Sequence, residues 1–522
     1  MKIKGHFDRR GFLQLSALMG SGIMMPPRLS FAAEGDLLRI RGEGDIQKFD
    51  PAYEIGGLED ITNRCVLTSL VRLSDMRKGN TITPWAAEKI EQTSPTTIAF
   101  TLIPGLKWTG GFGALTPEDV KYTFERIADP AKESPWKYQF EKLDHVEVKD
   151  ERSGIIHLKE PFQPIWVTSL PYYGGHIVCK AAVEKAGGKY TTEIPAQCGP
   201  YLLEKWEPKQ KVVLKANPDW PGPKPDFPAI EISIVEDDEA AQLAYEAKAF
   251  DYCRVAVAAA KPLKEKPLPE TVLIEAQSTR YVWLTINIDN PKLKDPKVRQ
   301  ALQYAFDGDQ VIAGTYDGLV PRSTGVVQPG TPFTRAKNII DKPDYEKAKA
   351  LLAEAGASDL KVNLATLNDS RYMTACQIIQ ATMAQAGITV DIQPYDEGAY
   401  WVLGDKTQGD GYKNLDMVLM AFAGGIDPSE NTVWFRPDQI GVYNWSAFNS
   451  PEYDELYNKA LSESDQGKRK EMYNRMEDMM EESGGFIFIC HEPFVAVHRN
   501  TIEPEILADG YPNPVGFKKQ KA

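Results

Sequence analysis

The stretch from Tyr281 to Gly314, YVWLTINIDNPKLKDPKVRQALQYAFDGDQVIAG, constrains the fold more than any other part of this 522-residue chain. From Val282 to Ile288 it is β-branched or aromatic at nearly every step, the pattern of a strand buried on both faces. Asp295 then supplies an N-cap, and Pro296 stands at the first helical position, where its missing N–H costs nothing. Val298, Ala301, Leu302, Ala305 and Phe306 follow at i, i+3, i+4, i+7 and i+8, which makes one apolar helix face. A buried strand, a polar loop (Asn287 to Asn290) and a one-sided helix describe a chain crossing between two lobes.

A helix–glycine–strand grammar then repeats. Asp344 caps a helix running to Ala355 and stopped by Gly356, before a strand from Lys361 to Thr366. A helix from about Ser370 to Ala386 stops at Gly387, and Ile388, Val390 and Ile392 alternate after it. Such units predict an α/β fold with a mainly parallel sheet under helical cover. Strand Met417 to Ala421 leads into the loop Phe422 to Pro428, and Phe486 to Val497 reads as an apolar strand returning to the first lobe. Earlier, Leu37 to Arg41 opens as a strand, and Ile61 to Leu73 reads as an amphipathic helix. Thr116 and Pro117 start a helix with Val120, Thr123, Phe124 and Ile127 inward. Lys261 to Pro269 reads as a surface connector.

The length exceeds what one core supports, so two or three domains are expected. The net charge of -13 repels phosphate backbones, which argues against nucleic acid as a partner. Arg9 and Arg10 precede an apolar run from Phe12 to Met25, a twin-arginine export signal. Cleavage is expected after Ala32; the run is too short to span a membrane comfortably. The first cysteine, Cys65, stands well past this signal, so no lipid-bearing N-terminal cysteine is expected. Of six cysteines, Cys179 and Cys198 bracket a loop and are the one disulfide pair singled out, against two free thiols. Cys376 and Cys490 read as buried thiols.

Several blocks carry a family resemblance. DPKVRQALQYAFD (295–307), the early Phe49-Asp50-Pro51 turn, the run from Ala99 through Trp108-Thr109-Gly110-Gly111 to Asp119-Val120, and Gly199-Pro200-Tyr201 with Asn217-Pro218-Asp219-Trp220 are together similar to extracellular solute-binding proteins of the dipeptide and oligopeptide class, family 5. The resemblance covers nearly all of residues 36 to 505. It implies a two-lobed periplasmic binding protein (type II-like, cluster C) with an extra domain inserted in the first lobe. Lobe I would comprise 36–73, 197–280 and 488–522, the insertion 74–196, and lobe II 281–487. Chain crossings are expected near Cys198 and near Asn287–Pro291 or 486–490. The implied role is the periplasmic component of an ABC importer: a monomer without cofactor that traps a peptide or peptide-like solute and presents it to a permease driven by an ATPase.

The loop Phe422, Gly424, Gly425, Asp427 follows a buried strand and is the best ligand candidate, because ligands gather at C-terminal strand ends and glycines admit close backbone approach. Aligned on Asp427-Pro428, Gly424 stands where the family carries the aspartate that meets a peptide's ammonium. Asp427 either touches ligand or caps its own turn. By position the resemblance adds Glu43 and Gly44 after the first strand, and Asn368 and Arg371 after strand 361–366. Arg371 either pairs a ligand carboxylate or sits on the surface. Trp434, Tyr443 and Trp445 either stack on ligand or pack in the core. An oligosaccharide, an opine-like conjugate or a nickel chelate stay open as alternative solutes. His491 and His498 do not stand one helical turn apart, and Pro493 lies between them, so no metal site is read there. With no G-x-S-x-G, Walker or Cys/His constellation, an exported hydrolase is the remoter reading and no catalysis is expected.

Overall fold

The computed structural model describes residues 36–54 and 56–520. The expected twin-arginine segment and its cleavage point lie outside them. A ten-stranded sheet organises the molecule, in the order Thr389–Tyr395, Lys361–Leu367, Met417–Ala423, Thr271–Ile286, Phe486–Arg499, Tyr252–Arg254, Leu37–Gly42, Ala229–Ile234, Lys211–Ala216 and Tyr201–Glu207. It is mixed, not mainly parallel. The two central strands run antiparallel to each other and to their outer neighbours, because the chain goes out along one and comes back along the other.

The strand expected from Val282 is the far end of a longer one beginning at Thr271. Its first part, Thr271–Gln277, pairs with Pro493–Arg499, and its second, Tyr281–Thr285, with Phe486–His491; the register shifts between Gln277 and Tyr281. Each side of that break belongs to different cores. Ile274 and Phe494 pack with Leu38, Ile40 and Ile232 in one. Beyond the break, Val282, Leu284 and Ile286 enter a second and Tyr281 and Trp283 a third, the strand burying both faces as its composition requires. The chain therefore passes between halves inside these two strands. Cys198 takes no part in the crossing: it lies buried in the first core with its N–H donated to Val66 O at 3.1 Å.

A separate four-stranded sheet of Ala87–Ser94, Thr97–Leu102, Ser153–Leu158 and Leu143–Val148 packs Ile98, Phe100 and Ile156 with Val120, Phe124 and Ile127 of helix Pro117–Ala128. That helix begins in a capping box, with the Asp119 side chain returning to the Thr116 N–H. All six cysteines are free and buried, so the Cys179–Cys198 pair is not formed. Both pack as small apolar groups in the first core, and burial pushes the Cys198 thiol up to about 12. The helix expected over 61–73 is helix Gly57–Val66 followed by strand Val71–Leu73, where pairing with Ile82–Pro84 overrides helical periodicity. Residues 261–265 of the expected connector lie in a short helix, Ala260–Glu265. Among the described residues no helix is long and apolar enough to cross a membrane.

Candidate functional site

Strand direction locates the site. Leu37–Gly42, Ala229–Ile234 and Tyr252–Arg254 run parallel, and Tyr252 faces His498 while Arg254 faces Ala496. Their C-terminal ends therefore point along the return strand towards its break. In the other half Ala423 faces Arg280 and Met417 faces Ile286, with Lys361–Leu367 and Thr389–Tyr395 parallel to Met417–Ala423. Those C-terminal ends point back at the same break. Two sets of strand ends thus converge on one gap, the position where open α/β sheets hold ligands.

On the first-half side, Glu43 Oε1 meets Arg254 Nε at 3.2 Å, and Arg254 also lies over the Tyr511 ring, 5.4 Å from its centre. A Cβ on neighbouring Gly44 would meet nothing within 4 Å. Asp509 accepts from Arg64 at 2.9 Å and from the Tyr172 hydroxyl at 3.3 Å. Across the gap, Arg280 Nε stands 3.1 Å from Glu492 Oε2, whose other oxygen accepts from Tyr372 at 3.0 Å and Tyr316 at 3.3 Å. Arg371 is partly exposed, 3.7 Å from Asp369, and Asn368 is exposed at the start of its loop.

The glycine loop is docked on the crossing strand. Gly424 N–H donates to Thr279 O and Gly425 N–H to Asn431 Oδ1, both at 3.0 Å. A Cβ at 424 would fall 1.9 Å from Asn431 Oδ1, and one at 425 would fall 1.8 Å from Glu430 Oε2. At 424, where Thr279 O also lies 2.9 Å from that Cβ, the loop's own packing calls for glycine; at 425 the Glu430 side chain would have to move. Glu430 lies within electrostatic reach of Tyr138 from the first half, and burial, with the charge of Asp427, pushes its carboxyl up to about 8.

Two of the expected site residues do not reach the gap. Asp427 is 1% exposed; it caps Ser429 at 2.9 Å and accepts from both Arg469 Nη atoms at 2.8 Å, so it ties the loop to helix Gln466–Glu482. Trp445 is buried against Tyr400 and Trp401 and donates to Val442 O at 2.8 Å. Phe422, Trp434 and Tyr443 form one aromatic cluster, in which Phe422 is buried and Tyr443 keeps 40% of its surface open.

The halves touch beside the gap. Gln163 N–H donates to Leu461 O at 2.8 Å, and Ile426 packs with Leu73, Leu507 and Ala508. A cavity of about 190 Å³ opens between Met76, Arg77 and Asn80 of the first half, Gln277 on the crossing strand, and Gln328 to Gly330 of the second. On its wall Asn80 Oδ1, Gln277 Nε2 and Gln328 Oε1 are buried without hydrogen-bond partners among the described residues. Such atoms are rare in native interiors and suit a polar solute. Sequence reasoning missed Gln277, Gln328, Arg254 and Glu492. The readable signal was the polar interruption Gln277-Ser278-Thr279 in an otherwise strand-like run.

The family model for bacterial extracellular solute-binding proteins, family 5 (middle), matches residues 81–440. The probable D,D-dipeptide-binding periplasmic protein DdpA of Escherichia coli (strain K12) is 25% identical over 89% of this chain and 90% of its own length. The probable di/tripeptide-binding protein 5 of Pseudomonas aeruginosa (strain UCBPP-PA14) is 24% identical over 74% of this chain and 76% of its own length. Among solved structures, the ABC transporter substrate-binding protein CtaP from Listeria monocytogenes superposes with a TM-score of 0.81 at 21% identity, covering 94% of this chain and all of the other.

Proposed function

The chain belongs to the bacterial extracellular solute-binding proteins of family 5, and from that premise we propose that it captures a peptide or peptide-like solute between its halves and hands it to a membrane permease of an ABC importer. The observation that carries this reading is the convergence of strand ends from both halves on one gap, bridged among the described residues by two strands. A solute touching both walls favours the closed arrangement by its differential affinity, and the permease reads that population change. Nothing in this cycle alters a bond in the solute.

In this reading the lobes are 36–73, 197–277 and 493–522 on one side and 281–491 on the other, the register break moving the expected bounds at 280 and 488, with 74–196 inserted in the first. Glu43, Gly44, Asn368, Arg371, Gly424 and Gly425 line the gap, and Trp434 and Tyr443 present an aromatic face. Glu430 takes the place of the missing family aspartate at 424: a peptide ammonium beside it draws the carboxyl back to its charged form and forms a charge-assisted pair worth roughly 1.5–3 kcal/mol. Arg371 or Arg254 meets the opposite, carboxylate end. Export follows the twin-arginine segment, with cleavage after Ala32. The open face of Tyr443 favours, as a second reading, a sugar or opine-like conjugate.

Mass spectrometry of solute released from the purified protein, followed by thermal-shift titration of di- to tetrapeptides against oligosaccharides and opine-type conjugates, tests this. A peptide that raises the unfolding temperature with wild type and not with Glu430→Gln supports it. Stabilisation by carbohydrate alone, or conversion of the bound solute, overturns it.

A further inference from the structure

Glu54, Asp60 and His176 each bring a ligand atom into a group whose members lie within 4.8 Å of one another, and all three side chains are buried. Asp60 and Asn63 lie one turn apart on helix Gly57–Val66. Glu54 sits in the turn before that helix, its N–H donated to Asp50 O at 2.9 Å. His176 arrives from a distant segment fixed beside the helix by the next residue, Ile177, whose N–H reaches Thr68 O at 2.7 Å. Backbone hydrogen bonds therefore hold the positions of these side chains.

The cluster holds more acceptors than donors, and Arg64 Nε and Nη1 are buried beside it without a hydrogen-bond partner among the described residues. Glu54 Oε1, Asp60 Oδ1, Asn63 Oδ1 and His176 Nδ1 have no hydrogen-bond partner among the described residues, while Asp60 Oδ2 is in ion-pair contact with Arg64. His176 Nδ1 stands 3.7 Å from Glu54 Oε1, beyond hydrogen-bond range. Asn63 Nδ2 is already donated to the other Glu54 oxygen and to Phe49 O. Arg64 divides one guanidinium between Asp60 and Asp509, which leaves more carboxylate than cation in the group. Buried carboxylates in that position are ordinarily paired or coordinate a metal.

We propose that Glu54, Asp60 and His176 form a binding site for one divalent transition-metal cation, of which Zn²⁺ is the reference. With the imidazole proton on Nε2, Nδ1 presents a lone pair, and a nitrogen with two carboxylates suits a borderline cation better than Mg²⁺ or Ca²⁺. Zn–N and Zn–O bonds of about 2.0–2.2 Å set tetrahedral ligand atoms roughly 3.3–3.6 Å apart, so atoms that now lie within 4.8 Å of one another close by at most about 1.5 Å on binding. Asn63 Oδ1 or a water completes the set. A cavity of about 30 Å³ lined by Arg64, Thr68 and His176 borders the cluster on its His176 side and has room for one or two waters. The ion pins the first helix to the segment before helix Lys180–Lys185, behind the first-half wall of the gap. It is a structural site, separate from the solute.

The test must discount the surface pair His145 and His157, whose rings stack at 4.5 Å beside Asp144 and Glu147. Metal-stripped full-length protein carrying H145A/H157A is titrated with ZnCl₂ by calorimetry, with and without excess MgCl₂. One equivalent bound, undisturbed by magnesium and accompanied by a higher unfolding temperature, is expected. In that background H176Q and E54Q, with folding checked by circular dichroism, each weaken binding at least about 100-fold. Zero equivalents at submillimolar zinc, or unchanged affinity in H176Q, overturns the assignment. Should both variants fail to fold, the Co²⁺ spectrum of the background protein decides: bands of a low-coordinate nitrogen–oxygen site support the assignment, and the spectrum of hydrated cobalt overturns it.

Discussion

Arg280 and Glu492 meet at 3.1 Å where the register of the two crossing strands breaks, and Tyr372 and Tyr316 donate to the same carboxylate from helices of the second half. Ser278 Oγ adds a hydrogen bond to Glu492 O at 3.1 Å. One buried carboxylate thus fastens the crossing to the second half, beside the register break between Gln277 and Tyr281.

Glu492→Gln keeps the shape and removes the charge that three donors share. Charge-assisted hydrogen bonds contribute roughly 1.5–3 kcal/mol each, and Arg280 is too exposed to count in full. The expected loss is about 2 kcal/mol in urea unfolding, together with weaker solute affinity. Unchanged stability would place the fastening elsewhere.

Asp427 and Arg469 form a bidentate pair with side chains 1% and 3% exposed. Breaking such a pair from one side leaves a buried charge uncompensated, at about 3–5 kcal/mol. Asp427→Asn and Arg469→Met should each lower the unfolding free energy in urea by an amount of that order, and the double variant by less than their sum. A ligand-contact role predicts the opposite pattern: lost affinity at normal stability.

These two relationships mark what the sequence could and could not disclose. The cap at Asp295 with Pro296 and the box at Thr116 are local, and both form where expected because capping needs only neighbours in the chain. The apolar run from Phe486 likewise became a central strand. The register break needs knowledge of the partner strand, and its only trace in the chain is a polar interruption. Asp427 reads equally well as a cap or a ligand contact until Arg469, on another helix, closes on it. The crossing that the family resemblance implied near Cys198 is not found there, because tertiary packing buries that residue in the first core. His176 carries no motif, and only the fold brings it to Glu54 and Asp60.

Gly424→Ala drives a methyl group against Asn431 Oδ1 and Thr279 O. Backbone at Thr279 belongs to the crossing strand and cannot yield as a flexible side chain would. We expect a loss of about 1–3 kcal/mol, as in overpacked cores, and a drop in solute affinity measured on the folded fraction. Gly424→Asp, which restores the family's carboxylate, should fare worse and gain no peptide affinity. Tighter peptide binding by that variant would show that the loop re-forms around the new side chain.

Glu477 gives the clearest pH dependence. It is wholly buried on helix Gln466–Glu482, where it accepts from Val327 N–H at 2.9 Å. Burial pushes its carboxyl up to about 7, against the opposing pull of Arg335. The folded state therefore holds this proton more tightly than the unfolded chain, whose carboxyl titrates near its ordinary value. Linkage then fixes the sign: the contribution is intact below the unfolded value, near 4.5, and is lost as pH rises through about 7. The loss amounts to roughly 3 kcal/mol across that window. Glu477→Gln keeps an acceptor for Val327 and cannot ionise, so its unfolding free energy should fall less between pH 5 and pH 8 than that of wild type (roughly the titration range,). Urea titrations of both proteins across that interval measure the difference, and parallel curves would mean that Glu477 is already charged in the folded protein at the acid end.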